Sequence, residues 1–170
     1  MYLAKTYART GKTIEATKLL NDMMAQLQNP TAISRINSST GAERAAIYIV
    51  KGEIALAIRK GSEAMESLEL AQTVGPSDSS LESLAFAYRT LGKPRESALK
   101  YEEIVKGHSL GSEGQESWIL AHYELGKLYR ELGDTQKAKE YYEKFLNIWK
   151  DADADIPVLI AAKAEYAKLM

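Results

Sequence analysis

A chain of 170 residues is long enough to bury the core of one ordinary domain, and it reads as one domain. With 45% hydrophobic and 26% charged residues it is neither a disordered nor a membrane-embedded sequence, and 22 basic against 23 acidic side chains leave no global field for nucleic acid or anionic lipid. The absence of cysteine removes disulfides, thiolate nucleophiles and thiolate metal sites together, and makes a reducing, cytoplasmic setting the default expectation.

No sustained apolar-polar alternation occurs, while Ala, Leu, Glu, Lys, Gln and Arg fill most segments, so the expectation is all helix. The amino end, Met1 to Tyr7, has no signal-peptide pattern and reads as a helix already under way, which suggests a piece cut from a longer polypeptide. A first unit, 1–29, carries Ala4, Tyr7, Ala16, Leu20 and Met23 around a turn at Gly11. After a polar stretch from Asn29 to Gly41, a second unit, 42–76, repeats the steps at Gly52, Ala55, Ala64, Leu68 and Ala71, and Pro76 closes it. The third, 78–106, places Ala85, Tyr88, Ser97, Tyr101 and Ile104 at the same intervals. A Gly- and Ser-rich insert from Gly107 to Gly114 precedes the fourth, 115–150, with Gly126, Tyr129, Ala138, Tyr142 and Phe145. Finally Asp155 is placed to cap a closing helix over 156–169, with Pro157 in its first turn and Leu159, Ala162, Tyr166 and Leu169 as one apolar stripe.

Four registers therefore fit one template, and the template has a packing reason. A small residue followed three later by a small or aromatic one lets two helices approach closely, and the later positions form the opposing stripe of a second helix. Gly11, Gly92 and Gly133 each fall seven residues after the first template position, where a left-handed residue ends the first helix; the second unit has Arg59 there, with Gly61 two residues on.

At these residues the chain resembles the tetratricopeptide repeat family, a 34-residue helix-turn-helix unit. Leu125-Gly126, Tyr129 and Ala138 match its pattern well, and unit spacings of 48, 33 and 41 residues leave two enlarged linkers. The resemblance implies an all-α, right-handed superhelix of about four such hairpins with a C-terminal capping helix. Tyr142-Glu143-Lys144-Phe145-Leu146, Trp149 to Asp153 and Ile156-Pro157 further resemble the terminal segment of repeat regions in large bacterial regulatory proteins.

Candidate chemistry is sparse. Gly11-Lys12-Thr13 lacks the glycine that a phosphate-binding loop needs at position 6, where Thr6 stands, and Gly107 to Gly114 lacks dinucleotide spacing. His108 and His122 have no spacing for a transition metal and are expected to be structural; Asp151, Asp153 and Asp155 lack the glycine and distant glutamate of a calcium loop. Asn37-Ser38-Ser39 is a glycosylation sequon that a cytosolic protein would not use. No nucleophile, base and acid cluster can be nominated, and Tyr7, Tyr88, Tyr129 and Tyr142 sit on core positions. No catalysis, cofactor or metal is expected.

In a stack of hairpins the first helix of each pair lines the inner side. The residue after the small template position and those four either way name Lys5, Ala8, Arg9, Ile49, Glu53, Leu56, Glu82, Phe86, Arg89, Tyr123, Lys127 and Arg130. The partner-binding candidates are Lys5, Arg9, Ile49, Glu53, Phe86, Arg89, Tyr123, Lys127 and Arg130, whose cations and aromatics suit an acidic peptide. The family's carboxylate clamp is not expected, because its asparagine is replaced by Glu53, a residue that repels carboxylate. The expected function is a non-catalytic protein-interaction module in a larger regulator, with a structural or self-association module as the alternative; neither nucleic acid nor membrane is an expected partner.

Overall fold

A computed structural model describes residues 1–28, 40–107 and 115–170 of the chain. The described residues contain nine α-helices and no strand, in two compact units. Unit 1, Met1–Leu91, holds α1 (Tyr2–Arg9), α2 (Thr13–Gln28), α3 (Thr40–Ala57), α4 (Gly61–Val74) and α5 (Asp78–Thr90). Unit 2, Gly92–Met170, holds α6 (Pro94–Lys106), α7 (Gln115–Glu131), α8 (Thr135–Ile148) and α9 (Pro157–Ala167). The boundary falls in the turn between α5 and α6, inside the third predicted hairpin. His108, the sequon Asn37-Ser38-Ser39 and most of both predicted linkers lie outside the described residues.

The template positions are where the helices meet. Ala4, Gly52, Ala85 and Gly126 are all buried, and Ala16, Ala64, Ser97 and Ala138 are fully so. The two glycines among them mark close approaches: a Cβ on Gly126 would stand 2.8 Å from Cδ1 of the buried Tyr142 ring, and one on Gly52 2.5 Å from Cγ of Leu68. Only a residue without Cβ lets these helices close. Ser97 occupies a position that is alanine in the other three units, and its Oγ has no hydrogen-bond partner among the described residues.

The inter-helix turns follow one scheme. Gly11, Gly92 and Gly133 take φ of +79°, +74° and +80°. In the remaining turn Arg59 itself takes φ +63°, and its neighbour's amide reaches back as the glycine turns do: Lys60 N donates to Ala55 O at 2.8 Å, like Lys12 N to Tyr7 O and Asp134 N to Tyr129 O at 2.8 Å. A side chain in this region is strained by roughly 1–2 kcal/mol. Arg59→Gly is therefore expected to stabilise the chain by about 1 kcal/mol, read as a higher denaturation midpoint; an unchanged or lower midpoint would show that the strain is relieved elsewhere.

The closing helix departs from expectation at its start. Asp155 is not its cap: the N-cap is Ile156, at φ −62° and ψ 120°, with no side-chain cap bond, and Pro157 is the first helical residue. Proline fixes the first helical φ and forces its predecessor into extended geometry, which leaves Asp155 one residue too early. The stripe is as expected, with Leu159 and Ala162 buried and Tyr166 and Leu169 packed beside Tyr142 and Phe145.

Candidate functional site

In unit 1 the first helices α1, α3 and α5 bring five of the predicted face residues into one cluster. Arg9 lies across both acids: its Nε and Nη2 donate to the two oxygens of Glu53 at 2.9 and 2.5 Å, and its Nη1 and Nη2 donate to those of Glu82 at 2.8 and 3.2 Å. Lys5 Nζ donates to Glu82 as well, and the Arg9 guanidinium sits over the Phe86 ring, 3.9 Å from its centroid. Glu53 is 1% exposed. Burial pushes the Glu82 carboxyl up, but the facing charges and hydrogen bonds of Lys5 and Arg9 outweigh it and hold it below the usual carboxylate range. Burial likewise acts against the Arg9 charge, and Glu53 and Glu82 more than restore it.

This corrects two expectations. Glu53 does not stand ready to repel an incoming carboxylate, because Arg9 neutralises it with a two-pronged contact. Lys5 and Arg9 are not open cations either; two positive charges meet two negative ones. Ile49, also expected on the face, is core: it is 1% exposed and packs with Ala45 and Ala71, since α3 is flanked by α1, α2, α4 and α5. Ala8 and Leu56 are buried too. Arg89 lies half-buried on α5.

In unit 2 the corresponding face of α7 is built around a residue that sequence reasoning missed. Glu165, on α9, accepts from Tyr142 Oη at 2.5 Å and Tyr123 Oη at 3.2 Å, and pairs with Arg130 Nη1 at 3.3 Å. Tyr123 is consequently a buried core residue, packed on Tyr142 and Phe145, with only its hydroxyl spent on polar contact. Its own burial, with Glu165 adding, pushes its phenol up to about 12, and the same causes raise Tyr142 further. Lys127 pairs with Glu124 at 2.8 Å and lies 5.0 Å from the centroid of the Tyr123 ring, while the Arg130 side chain is 40% exposed. The signal for Glu165 was present: it is the sole acid from Pro157 to Met170.

His122, expected to be structural, is 3% exposed; its Nδ1 lies 2.9 Å from Trp118 O and its ring stands edge-on to Trp118, centroids 4.5 Å apart. Among the described residues, no three His, Asp or Glu side chains gather as a metal site, and no helix is long and apolar enough to cross a membrane.

Residues 119–148, the last hairpin, match the family model described as tetratricopeptide repeat. The chain is similar to a crystal structure from Podosopora anserina described as kinesin light chain with nearly identical TPR-like repeats, at 25% identity and a TM-score of 0.67, covering 99% of this chain and 82% of that one. It is also similar to BtubC (BKLC) from P. vanneervenii, at 16% identity and a TM-score of 0.70, covering 98% and 68%; that likeness bears on fold alone. No curated protein matches the sequence.

Proposed function

We propose, from the premise that the chain belongs to the tetratricopeptide repeat family, that it is a non-catalytic interaction module of a larger regulatory protein, binding a partner on its first helices. Tetratricopeptide repeats are generally scaffolds for protein interaction, which makes the family the starting point and the inner faces the place to look. The observation that carries the reading is the cluster of Lys5, Arg9, Glu53, Glu82 and Phe86: side chains from three successive first helices, locked by charge-assisted bonds before any partner arrives. A surface fixed in advance loses little conformational entropy on binding.

The acidic-peptide expectation narrows accordingly. Around Arg9 the charges balance, so a partner there is held by packing over the Arg9 and Phe86 plate rather than by net attraction. On α7 the Arg130 side chain, 40% exposed, is more accessible than that of Lys127, 23% exposed, and an acidic residue of the partner belongs beside it.

Peptides selected from a random library on the immobilised chain provide the test. Binding is expected to weaken about tenfold or more on Phe86→Ala for peptides held on unit 1, or on Lys127→Ala for peptides held on unit 2, with helical circular dichroism retained, and to be unchanged by Ile14→Ser on the exposed side of α2. Selected peptides that bind all three variants alike would place the binding surface elsewhere.

A further inference from the structure

Arg9, Lys127 and Arg130 are already paired with acids of the chain itself, but the acids differ in how firmly they hold. Glu53 grips Arg9 with both oxygens, at 2.9 and 2.5 Å, and at 1% exposure it leaves no way in for an outside carboxylate. Lys127 is held by Glu124, one turn away on the same helix, at 2.8 Å. Arg130 differs from both. Its acid, Glu165, comes from another element, α9, and meets one guanidinium nitrogen, Nη1, at 3.3 Å. The oxygen involved, Oε2, is the one that accepts from Tyr142 at 2.5 Å, while Oε1 accepts from Tyr123 at 3.2 Å. Two phenols thus fix the carboxylate, and Arg130 shares an oxygen that is already in use. A guanidinium offers five N–H donors in a planar fork, and this one belongs to a side chain that is 40% exposed.

We infer that Glu165 is a resident carboxylate standing where a partner's acidic residue goes, and that such a residue binds by taking Arg130 away from it. The ligand chemistry is an Asp or Glu side chain of a protein partner, presented so as to make the two-pronged contact that Glu165 cannot make with its oxygens spent on Tyr142 and Tyr123. Two carboxylates facing one guanidinium repel each other, so each weakens the hold of the other. The rivalry reaches α9. Glu165 ties α9 to α7 through Tyr123 and Arg130, whereas Tyr166 ties it to Glu143 of α8 at 2.6 Å. An acidic partner on α7 removes one of the two α7 ties, so occupancy of that face and the docking of α9 oppose one another, and the coupling is reciprocal. This inference rests on the interaction-module reading and deepens it, by naming the acid that the α7 face takes and the internal rival it displaces.

The test selects peptides from one random library in parallel on the native chain and on Glu165→Gln, which keeps the side chain's size and one acceptor oxygen but not its charge. Peptides that shift α7 amides are expected to carry Asp or Glu and to bind Glu165→Gln about fivefold or more tightly than the native chain. The gain is expected to vanish in an Arg130→Gln background, because the two residues act on the ligand together. Saturating the native chain with such a peptide is expected to quicken amide exchange in α9, and the same peptide with its acid changed to the amide is expected to leave that exchange unchanged. A Glu165 that only anchors α9 gives equal or weaker binding in Glu165→Gln; that result overturns the inference and leaves the α7 face standing as a binding surface. If neither selection yields a peptide on α7, the inner-face reading of unit 2 falls and this inference with it.

Discussion

Replacing Arg9 with alanine is expected to destabilise the chain by about 3–5 kcal/mol, the range for removing one partner of a buried ion pair. Glu53 is the reason. At 1% exposure it has no route to water, and both of its oxygens are held by Arg9. Glu82 suffers less because Lys5 remains on it. For a chain of this size the loss corresponds to a melting temperature lower by roughly 10 °C. Arg9→Lys is expected to recover only part of it, since an ammonium cannot bridge two carboxylates in a fork while lying flat on Phe86. The double change Arg9→Met with Glu53→Leu is expected to cost far less than Arg9→Ala, because it removes the orphaned charge along with its partner. If Arg9→Ala and the double change cost the same, the pair is not what holds α1 to α3.

The same cluster sets an acid dependence. The folded chain holds the Glu82 carboxyl below its ordinary range, so the folded state releases that proton more readily than the unfolded one. Its contribution is fully present above the ordinary carboxylate range and is lost as pH falls through that range and below. Denaturation at a series of acidic pH values is expected to show this loss in the native chain, and a smaller one in Glu82→Gln.

Tyr142→Ala is expected to cost about 3–5 kcal/mol, as for other fully buried aromatics. The ring fills the space that Gly126 leaves open, and its hydroxyl donates to Glu165 at 2.5 Å, so one side chain joins α7, α8 and α9. Tyr142→Phe separates the two roles. It keeps the ring and removes a hydrogen bond to a charged acceptor, for an expected loss of about 1.5–3 kcal/mol. Amide exchange should then quicken in α9 more than in α7 or α8, because Glu165 retains only Tyr123 and Arg130. A phenylalanine variant as unstable as the alanine one would mean that the hydroxyl, not the ring, dominates.

What the sequence made legible was what depends on local steric demand. Gly126 and Ala138 are needed at their positions whatever surrounds them, and the turn glycines answer a backbone requirement that each hairpin repeats. The Arg59 exception was visible as a departure, and the structure shows that the turn keeps its form at the expense of a strained residue. Helical spacing also placed Lys5, Arg9, Glu53 and Phe86 on one side. It carried no information on who neutralises whom, since those bonds join residues 44 to 77 positions apart. Ile49 was misplaced for a related reason: periodicity assigns a face to one helix, and α3 has neighbours on nearly every side. Glu165 escaped notice because α9 was read only for its apolar stripe.

The central claim is that partners bind on the inner faces of the first helices. The most direct measurement is amide chemical-shift mapping of the labelled chain with a peptide selected on it. The largest shifts are expected around Arg9, Glu82 and Phe86, on α1 and α5, for a peptide held on unit 1, or around Lys127 and Arg130, on α7, for one held on unit 2. Shifts confined to α2, α4 and α8, with those positions unmoved, would contradict it.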